Sequence, residues 1–159
     1  MDKILNIFIE NPEQEFHIRE LARKLKKSPT TITKHLDQNV KQDLLLQREE
    51  RNHRIFKANT QSLSFKDLKL YHNIKQLRES KLLDFLNDFY NHPESIILFG
   101  SFRKAEDTPK SDIDIIVFTE KKKHPNLKEF EKKLNNPIQL FIFSKDEIQK
   151  MKTSNKELL

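Results

Sequence analysis

The chain has 159 residues, room for one or two small domains. It carries 30 Lys and Arg against 24 Asp and Glu, a formal net charge of +6, with 35% hydrophobic and 34% charged residues. Zero Cys excludes a disulfide scaffold, a Cys-ligated zinc site and a thiol nucleophile, and a single glycine, Gly100, excludes the Gly-rich phosphate loops of Rossmann and Walker type. No apolar run approaches the ~20 residues of a membrane span. The start MDKILNIFIENPEQ lacks a basic opening and a small-residue cleavage site. A soluble, cytoplasmic protein with no membrane partner is expected. Charge is uneven: residues 17–57 hold 11 basic and 5 acidic groups, the pattern of a surface that meets a polyanion.

The first predicted element is a helix over Asp2 to Ile9, stopped by Asn11-Pro12. Phe16 starts the next element, and Ile18, Leu21, Ala22 and Leu25 follow on one helical stripe. Lys26-Lys27 suit its C-terminal end, where the helix dipole favours cations. Ser28-Pro29 then reads as an N-cap followed by the first helical position. The third helix buries Ile32, Leu36 and Val40 and turns Thr30, Thr31, Lys34 and Gln38 outward. Leu44 to Arg48 and Arg54 to Asn59 form a β-hairpin, with a five-residue loop over Glu49 to His53. Two short helices, a tight turn and a polar-faced helix describe a helix-turn-helix, whose second helix enters the major groove.

The stretch ELARKLKKSPTTITKHLDQNVKQDLLLQREERNHRIFKAN resembles a winged helix-turn-helix of the transcription-regulator type, over residues 1–60. The resemblance implies double-stranded DNA as a partner. Thr30, Thr31, Lys34 and Gln38 would meet bases, and Arg48, Arg51 and Arg54 the sugar-phosphate backbone. Such regulators are often dimers, so a homodimer is a further expectation.

Residues 61–92 read as a helical connector. Phe65, Leu68, Tyr71, Ile74 and Leu77 mark one apolar stripe, and Leu82, Leu83, Phe85, Leu86 and Phe89 another. His92-Pro93 ends the segment. His72 and His92 have no companion ligands at metal-binding spacing.

The sharpest pattern follows, over residues 93–152. Ser95-Ile96-Ile97-Leu98-Phe99 is a short apolar run of buried-strand type, leading straight into Gly100-Ser101. A ten-residue spacer, Phe102 to Ser111, precedes Asp112-Ile113-Asp114 and the strand Ile115-Ile116-Val117-Phe118. Positions i and i+2 of a strand share a face, so Asp112 and Asp114 present two carboxylates together. Two such carboxylates repel unless a cation lies between them, and hard oxygen donors suit Mg²⁺ or Mn²⁺. Glycine admits close backbone approach, and the Ser101 hydroxyl can donate to a phosphate oxygen.

SIILFGSFRKAEDTPKSDIDIIVF resembles the nucleotidyltransferase superfamily that includes polymerase beta, and more narrowly its small minimal nucleotidyltransferase domains. The fold class expected is therefore α+β: a winged helix-turn-helix, a helical connector and a small mixed sheet with helices on one face. The resemblance implies Mg²⁺ with a nucleoside triphosphate as substrate or ligand. Gly100 and Ser101 would contact phosphates, Asp112 and Asp114 would hold the metal and act in catalysis, and Arg103, Lys104 and Lys110 would add phosphate contacts.

Two departures stand out. The spacer has Lys104-Ala105-Glu106 where the family has a small residue after the basic one. Active members also carry a third carboxylate on a later strand. Here that strand is Ile138 to Phe143, after a helix around Asn126 to Leu134, and its only polar residue is Gln139. In two-metal phosphoryl transfer the third carboxylate helps activate the incoming hydroxyl. Glu120 and Asp146 are the alternatives, each at or beyond a strand end.

Three functions stay open: a DNA-binding regulator with a nucleotide-binding domain that transfers weakly or not at all; an active transferase moving a nucleoside monophosphate to a protein, RNA or small-molecule hydroxyl, as relatives in toxin–antitoxin pairs do to a partner protein; and an assembly protein. The first leads. The tail from Met151 to Leu159 reads as polar and frayed.

Overall fold

The computed structural model describes residues 3–154. The chain divides into two units, residues 1–72 and 73–159, with the boundary inside one helix.

In the first unit, α1 (Lys3–Glu10) is followed by the two-residue strand β1 (Phe16–His17), then α2 (Ile18–Leu25) and α3 (Pro29–Lys41). The hairpin β2 (Leu45–Glu50) and β3 (His53–Ala58) completes a three-stranded antiparallel sheet in the order β1-β3-β2. Phe16 pairs with Phe56 and Leu45 with Ala58. The core joins Ile4, Phe8, Leu21, Ile32, Leu36, Leu45, Phe56 and Phe65, with the Phe8 and Phe16 rings edge to face at 5.0 Å. Burying a set of this kind stabilises by roughly 1.5–3 kcal/mol per large side chain.

Local chemistry sets the helix ends. The Lys26 backbone turns left-handed and closes α2. Ser28 caps α3, its Oγ accepting from the Thr31 N–H at 3.1 Å, and Pro29 takes the first position. The helical stripe from Ile18 is α2, and the element that Phe16 starts opens as a strand. That residue and His17 are held in a strand by β3, and the helix begins at Ile18. The hairpin turn is also tighter than the expected five-residue loop. Arg51 and Asn52 both take positive φ (49° and 60°), and Glu50 pairs directly with His53. Two left-handed central residues match the twist of a two-residue hairpin without any glycine.

The helix α4 (Leu63–Ser80) belongs to both units. Its buried positions are Phe65, Lys69, Asn73, Leu77 and Ser80, a stripe that includes three polar residues. Tyr71, expected on the apolar face, is 61% exposed. Lys69 Nζ donates to the Ile9 carbonyl at 3.0 Å, a cation at the C-terminal end of α1.

The second unit continues with α5 (Leu82–Phe89), β4 (Ser95–Phe99), α6 (Gly100–Lys104), β5 (Ile113–Phe118), α7 (Lys128–Leu134), β6 (Ile138–Phe143) and α8 (Lys145–Ser154). The sheet runs β4-β5-β6, antiparallel between β4 and β5 and parallel between β5 and β6. Ile113, Ile115 and Val117 point to a core shared with Leu77, Leu82, Leu86, Phe102, Leu127 and Leu134. The alternate residues face the other side, where Ile97 and Phe141 are 41% and 38% exposed. The apolar runs of β4 and β6 are thus half-covered strands, not fully buried ones. Helix α8 carries helical structure through Ser154, beyond the expected start of a frayed tail at Met151; residues 155–159 lie outside the described residues. No helix among the described residues is long and apolar enough to cross a membrane.

Candidate functional site

Sheet register assembles the site at one end of the second unit. Phe99, the last residue of β4, pairs with Asp114, and Asp114 pairs with Gln139 of β6. The chain leaves β4 through Gly100, whose φ of +70° is left-handed, and enters α6 at once. The expected Gly-Ser turn is therefore the first turn of a five-residue helix. A Cβ placed on Gly100 would overlap the Asp114 carboxylate. Only glycine lets the strand end and the carboxyl group come this close.

Asp112 lies one residue ahead of β5 rather than on it. The two carboxylates still interact. Burial raises the Asp114 pKa, and the nearby negative charge of Asp112 raises it further. Asp112 Oδ2 accepts a hydrogen bond from Gln139 Nε2 at 2.8 Å. The position to which the family resemblance assigns a third carboxylate thus holds an amide donor. Glu120 cannot replace it. It lies six residues along the chain from Asp114, about 20 Å of extended backbone, and its Oε1 accepts from the Lys145 N–H. Asp146 is at the start of α8, beyond the far end of β6.

Gly100 and Ser101 are half-buried, Phe102 is buried in the core, and Arg103 and Lys104 are exposed at the end of α6. Lys110 is exposed in the turn before Asp112. Thr108 N–H donates to Ser111 Oγ at 2.9 Å, and Asn136 Nδ2 donates to the Ser111 carbonyl at 2.9 Å. Asn136 escaped the sequence reading. An Asn next to a proline, between helix and strand, reads as an ordinary loop residue. Among the described residues no three His, Cys, Asp or Glu side chains gather in one metal-binding group.

The first unit has a second cluster. Thr30, Lys34 and Gln38 line an open groove on α3 with Pro29, Thr33, Asp37 and Lys41. Arg19, Arg23, Lys26 and Lys27 line a neighbouring depression with Ala22 and Pro29. Thr31 differs from the other three outward residues: its N–H and hydroxyl are both engaged with Ser28. Two of the three hairpin arginines are held by acidic groups. Arg48 pairs with Glu15 at 2.7 Å and Glu50 at 2.6 Å, which lowers the Glu15 pKa and raises that of Arg48. Arg54 pairs with Asp37 and donates to Gln47 at 2.5 Å. Arg51 stands exposed at the turn.

Residues 79–157 match the family model described as nucleotidyltransferase domain. The match covers β4, α6, β5 and β6, and with them Gly100, Ser101, Asp112, Asp114 and Gln139. The C-terminal half is nucleotidyltransferase-like. No curated protein and no solved structure matches the chain.

Proposed function

We propose that the second unit binds a nucleoside triphosphate with a divalent cation and transfers its nucleotide slowly or not at all, and that the first unit is a winged helix-turn-helix that binds duplex DNA. The observation that carries the nucleotide reading is the packing of the Asp114 carboxyl against Gly100, beside Asp112. The Asp114 carboxyl, raised in pKa by burial and then by the Asp112 charge, gains together with Asp112 from a cation between them. Asp112 and Asp114 would hold Mg²⁺ or Mn²⁺, with phosphate oxygens and water completing the shell. The cation supplies charge neutralisation at the phosphates when bound. The chain's own part is to orient: Gly100 gives the backbone access to a phosphate, and Ser101 offers a hydroxyl donor. Arg103 and Lys104 add positive charge at the end of α6.

Gln139 separates binding from chemistry. Its amide occupies Asp112 and cannot accept a proton from an attacking hydroxyl. An active transferase acting on a protein, RNA or small-molecule hydroxyl is the second reading, favoured by the intact Asp112 and Asp114 pair.

The DNA reading rests on the order of elements α1-β1-α2-α3-β2-β3 and on the exposed basic surface of α2 and α3. Thr30, Lys34 and Gln38 are free to meet base edges, and Arg19, Arg23, Lys26 and Lys27 to meet phosphates. A homodimer on paired half-sites and a protein partner accepting nucleotide stay as proposals attached to these two readings.

The test is a calorimetric titration of Mg²⁺-ATP and Mg²⁺-GTP into wild type and an Asp112→Asn/Asp114→Asn double variant. It is paired with anisotropy of labelled duplex DNA over a salt series. Heat only from wild type supports the nucleotide site. Duplex binding that weakens steeply with salt supports the DNA site.

A further inference from the structure

Helix α6 has only five residues, too few to hold itself by its own ladder. Its C-terminal carbonyls need outside donors. The Ser101 carbonyl accepts from the N–H groups of Ala105 and of Glu106, the latter at 3.0 Å. The Phe102 carbonyl accepts from Asn73 Nδ2 at 2.9 Å. The same amide group donates to Asp107 Oδ1 at 2.7 Å. Asn73 is 2% exposed and Asp107 7%. An Asn amide has two protons, and here they go to the two ends of one six-residue segment. A buried carboxylate without such a donor is costly, so the pair resists rearrangement. Asn73 lies on the buried stripe of α4 between Lys69 and Leu77, where an apolar residue would pack without committing the loop to one geometry.

We infer that Asn73 is a positioning residue for the phosphate-binding segment. Its amide fixes residues 102–107, so that Ser101, Arg103 and Lys104 meet the phosphates of a nucleotide held at Asp112 and Asp114. The inference rests on the nucleotide reading above and names what keeps that site in register. The other half of the spacer is pinned separately, by the Thr108–Ser111 turn and by Asn136. Asn73 therefore governs the phosphate side of the spacer and Asn136 the side that leads into Asp112.

The test uses the full chain. Asn73→Asp keeps the shape but sets a carboxylate against the Asp107 carboxylate and the Phe102 carbonyl. The double variant Asn73→Asp/Asp107→Asn restores one donor–acceptor pair with its polarity reversed, and it serves if the single variant fails to fold. Mg²⁺-ATP and Mg²⁺-tripolyphosphate are titrated into each protein, and amide exchange is followed at Ala105 and Glu106. The single variant should bind both ligands about tenfold more weakly or worse and exchange faster at both amides. The double variant should regain part of the affinity and of the protection, since the contact to position 107 is restored and the one to the Phe102 carbonyl is not. Wild-type affinity in the single variant overturns the inference. So does a double variant that regains protection without regaining affinity. Absence of binding by wild type removes the nucleotide reading instead, whereas unchanged exchange in Asn73→Asp removes the clamp, so the two failures are read apart.

Discussion

Gly100 and Asp114 meet with no room for a side chain between them. The Asp114 carboxylate occupies the space a Cβ at Gly100 would fill, and the glycine backbone is left-handed there. The single glycine of the chain thus serves both a backbone turn and the seating of an acidic group. Gly100→Ala should cost about 1–2 kcal/mol from the left-handed backbone alone, with more from displacing Asp114. Urea unfolding measures the loss. Nucleotide binding should fall far more than stability, because the displaced carboxylate is the proposed metal ligand. An alanine variant with wild-type nucleotide affinity would show that the contact is only structural.

Gln139→Glu should convert a binding site into a better transfer site. The new carboxylate would face Asp112 in place of an amide donor. Without divalent cation three acidic groups would crowd one sheet end, and the melting temperature should drop. Mg²⁺ should restore it, more in the variant than in wild type. Transfer of labelled nucleotide should rise in parallel. A variant that melts like wild type with and without Mg²⁺ contradicts the placement of Gln139 beside the metal ligands.

On the first unit, Arg23→Ala should weaken duplex binding evenly across sequences and reduce the slope of log K against log salt by about 1, whereas Lys34→Ala should weaken binding and relax the preference for one sequence. Glu15→Gln should act in the opposite direction. It removes the charge that holds Arg48 Nε and Nη2, while Glu50 still holds Nη1, and so turns two of the three guanidinium nitrogens toward the DNA backbone. Stronger binding by Glu15→Gln than by wild type is the outcome that supports a DNA-facing hairpin. Equal binding places the hairpin away from the duplex.

Helix α8 carries a pH dependence of its own. Ser144-Lys145-Asp146-Glu147 is a capping box: Glu147 Oε2 accepts from the Ser144 N–H at 2.7 Å, and the Ser144 hydroxyl lies 3.4 Å from the Glu147 N–H. Lys122 also pairs with Glu147. The Lys122 contact and then the Ser144 N–H hold the carboxyl down to about 2, against an ordinary value of 4.5. A depressed folded-state pKa contributes stability that is present above 4.5 and is lost as the pH falls toward 2. Glu147→Gln should flatten the acid limb of the stability profile in that window. Thermal melts from pH 6 to pH 2 measure it, and an unchanged acid limb contradicts the capping contact.

Much of this arrangement was legible in the residues. Ser28-Pro29 located the start of α3 because an N-cap hydroxyl and a proline leave few alternatives. The apolar runs of β4 and β6 located both strands to the residue. Spacing brings Gly100, Ser101, Asp112 and Asp114 forward as candidates and lone polarity brings Gln139; sheet register sets Gly100, Asp112, Asp114 and Gln139 at one sheet end, and their roles belong to the proposal. What escaped depended on contacts distant in sequence. β1 exists only because β3 pairs with it, so nothing local to Phe16-His17 marks a strand there. The buried stripe of α4 runs through Lys69 and Asn73, whose partners lie 60 and 29 residues away. Apolar periodicity therefore placed Tyr71 on the wrong face. The hairpin's left-handed positions are filled by Arg51 and Asn52, with no glycine to mark them, so residue types alone suggest a loop of five residues.

The most direct measurement is the titration of Mg²⁺-ATP into wild type and into the Asp112→Asn/Asp114→Asn double variant, at equal protein concentration and with both proteins shown to be folded. Saturable heat from wild type, absent from the double variant, is the predicted result. Equal heat from both, or none from either, contradicts a nucleotide site built on Gly100, Asp112 and Asp114.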